Sequence, residues 1–217
     1  MKKILLVALL GLFVSQVNAQ SVLSSLLNKT LSKESITSIV ESVAGKVVSK
    51  LDLSVVGTWK YSAAEVQFKS DNLLAEAGGA AMLSTVENSV GKLYAKLGMD
   101  SDYSFTFNSD STFTQNIKVK SKVQTLKGTY SLDKENNLIV LKYQVLGKIN
   151  LGKVSAIYAN NGTSLSILFD ANELFTMLKK IASAASSLSS TATLAGLSTI
   201  VEQYDGMLLG YKMSRVK

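Results

Sequence analysis

The amino-acid sequence predicts a mainly β protein with helical insertions, an α+β chain built on an eight-stranded antiparallel barrel. Three observations lead to this prediction. Eight segments after residue 55 alternate apolar and polar residues with period two, most of them are joined by short polar turns, and two longer connections have the three-four spacing of amphipathic helices. Eight up-and-down strands of this length close a barrel whose interior is filled by side chains or holds one small ligand.

The N-terminal segment, residues 1–19, has the composition of a secretory signal peptide. Two lysines precede an apolar run from Ile4 to Val14, and the small residue Ala19 ends the segment at a cleavage site. We therefore expect an exported protein, periplasmic or secreted, whose mature chain begins at Gln20. No later run is long and apolar enough to predict a transmembrane helix.

Residues 20–52 follow as a separate helical segment. Within it, apolar side chains recur at three-four spacing from Ile36 to Leu51, and the opposite face is polar. After Leu53 the period changes to two, and residues 56–68 alternate well enough to predict a long first strand. We expect the barrel, with its insertions, to occupy residues 53–217 and the preceding helix to cover its base.

The first helical insertion is predicted at residues 72–97, where an apolar stripe recurs at three-four spacing and Gly98 offers a C-terminal stop. A hairpin follows, because residues 103–107 and 112–120 alternate on either side of the polar turn 108–111. Further strands are predicted at residues 124–132, 137–146, 151–159 and 164–169.

The second helical insertion covers residues 171–205. Asp170 with Glu173 three positions later has the form of a capping box, and an apolar stripe follows it. A serine-rich stretch interrupts the helical pattern at residues 186–193, and a last strand runs from Met207 to Val216. If the first strand starts at the closed end, counting strands puts both insertions at the open end, where they would form a lid.

Composition excludes most enzyme classes. The chain has no cysteine and no histidine, so thiol nucleophiles, histidine-based catalytic pairs and the usual zinc sites are absent. We expect a protein that is not an enzyme and needs neither a metal nor a cofactor. The net charge of +7 comes almost entirely from lysines dispersed along the sequence, whereas nucleic-acid binders favour clustered patches and arginine forks. No nucleic-acid partner is predicted.

Several short motifs give the chain a resemblance to a known family. Gly57-Thr58-Trp59 at the start of the first strand resembles the Gly-x-Trp signature of lipocalins. Phe105-x-Phe107, Thr112-Phe113 and Gly128-Thr129-Tyr130 are similar in order to motifs of exported bacterial lipocalin-like proteins classed as a domain of unknown function. The resemblance covers roughly residues 53–217. Its departures are the two helical insertions and a 108–111 turn without glycine.

The resemblance also implies a contact at the base of the barrel. In lipocalins a basic side chain from the last strand packs across the signature tryptophan. The chain has one tryptophan, Trp59, and one arginine, Arg215, which lies in the final strand. Such a pair contributes about 0.5 to 2 kcal/mol, and we expect it to close the base without touching a ligand.

Successive side chains of a strand point to opposite faces. Taking the Trp59 face of the first strand and the aromatic face of each other strand as the inner one predicts which side chains face the interior. They are Tyr61, Phe105, Phe107, Phe113, Ile117, Tyr130, Leu141, Tyr143, Phe169, Tyr211 and Met213. Apolar walls with a few phenolic hydroxyls suit a lipid-like or planar aromatic molecule. The ligand-binding candidates are therefore Tyr61, Phe105, Phe113, Tyr130, Tyr143 and Tyr211. Glu65 is expected to face inward with Trp59, or else to be an ordinary residue near the rim.

Two functions are consistent with this pattern. The first is an exported barrel that binds a small hydrophobic molecule. The alternative is an interaction or structural protein of the bacterial envelope, whose barrel is filled and whose amphipathic helices dock a protein partner or a membrane surface. Lys118, Lys120 and Lys122 alternate along one strand, where they would contact an anionic envelope surface or form a solvated face that protects a strand edge.

Overall fold

The computed structural model describes residues 54–69, 79–119, 122–144, 152–184, 191–203 and 206–216. Within these ranges eight antiparallel strands form a closed barrel in chain order. The strands are β1 Gly57–Phe68, β2 Ser104–Phe107, β3 Thr112–Val119, β4 Lys122–Asp133, β5 Leu138–Tyr143, β6 Lys153–Asn160, β7 Ser164–Asp170 and β8 Met207–Arg215. The predicted fold class is confirmed. The predicted signal peptide and N-terminal helix lie outside the described residues.

Three helices accompany these strands in the same ranges: α1 Gly79–Lys96, α2 Ala171–Ala184 and α3 Thr191–Gln203. Helix α1 connects β1 to β2, and α2 with α3 connects β7 to β8. Both connections leave from the barrel end opposite Trp59, which we call the open end. At the Trp59 end, called the base, the turns at residues 108–111, 134–137 and 161–163 join successive strands directly. Of the helices in the described ranges, none is long and apolar enough to cross a membrane.

A bulge in β1 changes which of its side chains face the interior. Tyr61 lies opposite Met213 on β8, but Ala63 lies opposite Lys212, so Ser62 is an extra residue in the ladder. Residues directly opposite each other in an antiparallel pair share a face. Beyond the bulge Ala64 opposes the interior residue Tyr211.

The bulge rules out the inward alternative for Glu65. This residue opposes Gly210 and therefore lies on the outer face of the wall, not inside the barrel. It is nevertheless only 8% exposed. Burial raises the pKa of the Glu65 carboxyl, while a hydrogen bond from Ser166 and the nearby Lys212 ammonium act in the opposite direction.

Strand β2 is short, so the upper part of β1 has no strand partner on that side among the described residues. Helix α1 covers this gap in the barrel wall. Strand β2 has four residues and reaches only Lys60 on β1, whereas β1 continues along β8 as far as Phe68. Helix α1 packs on this upper part of β1, with the Cα of Gly91 close to the Ala64 side chain. Its other end reaches β3, where the Lys118 amide donates to the Gly98 carbonyl at 3.2 Å.

Local sequence explains where α1 ends. Gly98 has φ +81°, a left-handed conformation that favours glycine. The Met99 amide donates to the Tyr94 carbonyl at 2.9 Å and the Gly98 amide to the Ala95 carbonyl at 3.1 Å. This pair of bonds is the Schellman motif, and Met99 and Tyr94 are both buried beside it. The predicted stop at Gly98 is confirmed.

The start of α2 follows its predicted cap. Asp170 Oδ1 accepts hydrogen bonds from the amides of Asn172 at 3.0 Å and Glu173 at 3.4 Å, as an N-cap aspartate does. Asp170 Oδ2 accepts from Lys69 Nζ at 2.9 Å. The end of β1 is thereby held to the start of α2.

Candidate functional site

The base of the barrel is built around Trp59 and Arg215. The guanidinium carbon of Arg215 lies 4.2 Å from the centre of the Trp59 ring, and the indole nitrogen donates to the Val55 carbonyl at 2.7 Å. Trp59 is fully buried. Gly57 has φ +131°, and a Cβ there would lie 2.8 Å from Arg215 Nη1. The Gly-x-Trp motif is therefore explained by the packing of this base.

The predicted ligand-binding side chains form one aromatic cluster inside the barrel. The rings of Phe105 and Phe113 have centroids 5.8 Å apart, Phe113 and Tyr143 meet edge to face at 5.1 Å, and Phe105 and Tyr211 stack at 6.1 Å. All four side chains are buried. At the base, the Tyr130 hydroxyl donates to the Asn108 carbonyl of the β2–β3 turn at 2.8 Å.

Tyr61 differs from the other candidates because it is only half-buried. It lies opposite Met213 and meets the Tyr103 ring edge to face at 6.2 Å. Above it on β1 are the bulge and the part of the wall covered by α1. Of the predicted residues, Tyr61 is thus the one placed between the interior cluster and solvent.

A polar cluster that the predicted site did not include lies on the open-end side of these rings. Gln115 Nε2 donates to the Tyr103 hydroxyl at 2.6 Å, and the Tyr143 hydroxyl donates to Gln115 Oε1 at 2.7 Å. Gln115 is 2% exposed, so its side-chain amide forms hydrogen bonds with neighbouring side chains and not with bulk solvent. Burying such groups is costly unless they are hydrogen-bonded, and these three side chains satisfy one another in part.

Two further hydroxyls in this region lack a well-formed hydrogen bond to any residue that the structure describes. Tyr94 projects from α1 and its ring lies 6.3 Å from that of Tyr211. Both side chains are fully buried. The Tyr94 hydroxyl has no hydrogen-bond partner among the described residues. The Tyr211 hydroxyl interacts with the Tyr103 hydroxyl and lowers the Tyr103 pKa, but their geometry is not that of a good hydrogen bond. A buried hydroxyl without a partner costs about 1 to 3 kcal/mol. The interface between α1 and the barrel interior therefore holds hydrogen-bonding capacity that the described residues do not fully use.

The chemistry available here is recognition by neutral groups. Burial raises the pKa of the Tyr94, Tyr103, Tyr143 and Tyr211 hydroxyls well above the ordinary value for tyrosine. They stay protonated at any physiological pH, so each is able to donate one hydrogen bond and accept others. Such groups orient a ligand but do not act as bases or nucleophiles near neutral pH.

The sequence held signals for the residues that the prediction missed. Gln115 stands on the apolar side of β3 between Phe113 and Ile117, where a polar residue is out of pattern. Tyr94 belongs to the apolar stripe of the first helical insertion. What the sequence did not indicate is that this stripe packs onto the barrel interior beside Tyr211.

The charged side chains described on the outer wall do not form a metal-binding group, and the three lysines singled out in the sequence are placed as follows. Lys118 Nζ pairs with Asp102 Oδ2 at 3.1 Å, Lys122 is exposed and Lys120 lies outside the described residues. Within the part of the chain that the structure describes, no three Asp or Glu side chains come together as a metal site.

Comparison with known proteins gives a family match. The family model described as "Lipocalin-like domain (DUF4923)" matches residues 27–215, which is most of the chain. No curated protein and no solved structure matches significantly. The matched range includes the whole barrel with both helical insertions and begins before β1.

Proposed function

Since the chain belongs to the DUF4923 lipocalin-like family, we propose that it binds a small hydrophobic molecule carrying one or two hydrogen-bonding groups inside the barrel, beneath α1. We further propose that it acts after export and is not an enzyme. Eight-stranded barrels of this kind hold one small ligand in several families. The export proposal rests on the signal-like composition of residues 1–19.

The observation that carries the ligand proposal is the buried Tyr94 hydroxyl, which has no hydrogen-bond partner among the described residues, together with the Tyr211 hydroxyl, which has only a poorly aligned contact with Tyr103 there. Natural proteins leave few buried polar groups without a partner, and an exception calls for an explanation. A ligand carbonyl or hydroxyl near these two groups would remove that cost on binding. The surrounding rings of Tyr103, Phe105 and Phe169 would then contact its apolar part.

Entry would take place where β2 is short. There the wall between β1 and β3 is closed by α1 and not by a strand ladder. Moving a helix away from a sheet breaks side-chain packing but few backbone hydrogen bonds, so it costs less than separating two strands. We therefore assign α1 the part of a lid whose opening exposes Tyr61 and the polar cluster.

A filled barrel that docks an envelope partner is the rival function. It is favoured by the direct contacts between the interior rings, such as the 5.1 Å separation of Phe113 and Tyr143. Against it, the apolar face of α1 is turned to the core through Val86, Val90 and Tyr94. The large hydrophobic side chains exposed in the described ranges are Val123 and Val216, neither of them on a helix.

Native mass spectrometry with organic extraction separates the two functions. The mature protein is purified from its own host, and its mass and extract are compared with those of a Phe113→Trp variant, which enlarges a side chain inside the barrel. Thr114→Trp is the matched control, because Thr114 is the next residue on β3 and is half-exposed. A carrier shows a co-purifying hydrophobic molecule that Phe113→Trp removes and Thr114→Trp retains.

A protein that is empty from its host, and that also fails to bind fatty acids and fluorescent hydrophobic probes, would contradict the carrier proposal. The search would then turn to protein partners of the barrel surface. Retention of the molecule by both variants would show that it is bound elsewhere than in the interior.

A further inference from the structure

A cavity lies outside the barrel interior, between α2 and the start of β6. Its volume is about 260 Å³. Val154 and Met177 supply an apolar side, Lys153 and Lys180 flank it, and Glu173 contributes a carboxyl group. None of these residues belongs to the aromatic cluster proposed above as the ligand site.

Glu173 sits in this cavity in an unusual state. Its Oε2 atom is buried and has no hydrogen-bond partner among the residues that the structure describes. Burial, and secondarily the neighbouring Asp170 carboxylate, raises the pKa of Glu173 to about 7, while Lys69 acts in the opposite direction. Near neutral pH the carboxyl is therefore protonated in a large fraction of molecules and is then able to donate a hydrogen bond.

The charges around the cavity select the kind of ligand. Lys153 on β6 and Lys180 on α2 are exposed ammonium groups, and Glu173 opposes them only when it is ionised. The N-terminal turn of α2 is already capped by the Asp170 carboxylate, so the attraction for an anion comes from the two lysines. An anion is therefore attracted, and most strongly when Glu173 is neutral.

We propose that this cavity is a second binding site, for a small amphipathic anion whose carboxylate lies between Lys153, Lys180 and the Glu173 carboxyl and whose short apolar chain lies on Val154 and Met177. The cavity is smaller than the roughly 300 to 1,000 Å³ of sites for drug-sized ligands. A carboxylate with a chain of about eight carbons matches that size. The site is independent of the barrel ligand, so each proposal stands or fails alone.

Titration calorimetry on the mature protein tests the choice of ligand with three probes of equal chain length: octanoate, octanol and octylamine. We expect octanoate to bind at least tenfold more tightly than the other two at pH 6. Its affinity is expected to fall by about fivefold to tenfold between pH 6 and pH 8, because Glu173 ionises while octanoate stays charged throughout.

Variants locate the binding site. Lys153→Gln with Lys180→Gln should weaken octanoate at least tenfold, whereas Lys92→Gln with Lys127→Gln, one exposed lysine from a helix and one from a strand, should leave it unchanged. Glu173→Gln should keep the affinity measured at pH 6 and remove most of its dependence on pH. Phe113→Trp should have no effect, because Phe113 lies in the barrel interior.

Three results would overturn the proposal. One is equal or tighter binding of octanol or octylamine, which would mean that the anionic group is not recognised. Another is loss of octanoate binding in Phe113→Trp with no change in the double lysine variant, which would place octanoate in the barrel. The third is no measurable octanoate binding at pH 6.

Discussion

Arg215 binds Trp59 and the backbone at the same time. While its guanidinium lies over the indole ring at 4.2 Å, Nε donates to the Gly162 carbonyl, Nη1 to Val56 and Nη2 to Ser54, at 2.9 to 3.0 Å. One side chain thus joins the chain entering β1, the β6–β7 turn and the end of β8. This is a use of the planar five-donor guanidinium that a lysine ammonium does not reproduce.

Replacing Arg215 should therefore destabilise the base of the barrel. We expect both Arg215→Lys and Arg215→Met to lower the free energy of unfolding by about 2 to 4 kcal/mol, because the three carbonyls lose their shared donor. Trp59 is the chain's only tryptophan, so its fluorescence during urea unfolding reports on this region directly. Full stability in Arg215→Lys would show that charge alone is sufficient.

Gly91 lies within α1 and Gly98 follows its C-terminal end, so the same substitution at the two positions is a controlled comparison. Gly98→Ala should cost more than about 3 kcal/mol, because φ is +81° and the new Cβ would overlap the Lys118 carbonyl oxygen on β3. Gly91→Ala should be neutral or stabilising by up to about 1 kcal/mol, because Gly91 is helical and its Cβ would meet Ala64 at 3.7 Å. Thermal unfolding of both variants checks this, and equal stability would contradict the assigned role of Gly98.

The two kinds of buried tyrosine should respond in opposite directions to loss of their hydroxyl. Tyr94→Phe removes a hydroxyl that has no partner in the described ranges and should stabilise the ligand-free protein by about 1 kcal/mol. Tyr143→Phe removes the donor to Gln115 Oε1 and should destabilise it by about 1 to 3 kcal/mol. Urea unfolding of extracted, ligand-free protein measures both changes. A destabilised Tyr94→Phe variant would mean that its hydroxyl has a partner after all.

Stability should depend on pH through Glu173. Its pKa is about 7 in the folded chain against an ordinary value of 4.5, so the folded state binds more protons between these limits. Stability is then lost as pH rises from about 4.5 to 7 and is constant above that. We expect Glu173→Gln to remove this loss, which is about 1 kcal/mol after allowance for solvent screening at a half-buried group.

Unfolding free energies of the two proteins at pH 5 and pH 8 measure the effect of Glu173. The Glu173→Gln variant should have a higher free energy of unfolding than the natural protein, relative to their difference at pH 5, only at pH 8. A difference that is the same at both pH values would show that packing, not ionisation, distinguishes them.

Much of the fold was predictable because the alternation of apolar and polar residues along a strand indicates which side chains are buried. In β4, for example, Leu126, Gly128 and Tyr130 are buried and the residues between them are exposed. The helix signals at Gly98 and Asp170 are local in the same way, since cap chemistry depends on a few adjacent residues. For these elements no long-range information was needed.

The failures arose where a side chain's position depends on a distant strand. The inward alternative for Glu65 rested on its having the parity of Trp59. The extra residue Ser62 reverses that parity, and a bulge is visible only against its partner strand. The polar cluster was missed for a related reason. Tyr103 precedes β2, Gln115 lies on β3 and Tyr143 ends β5, and only the closed barrel brings them together.

The pairing of β1 with β8 also affects the rate of folding. Arg215 and the Val56 carbonyl are 159 residues apart in the chain, so forming their bond requires closure of a very long loop. Contacts of this separation slow folding, since the entropy of closure is lost before the contact is gained. Until β8 arrives, β1 and β7 keep exposed hydrogen-bonding edges of the kind that pair with other chains. A transient open barrel is therefore the species most at risk of aggregation, and a chaperone would act on it with most effect.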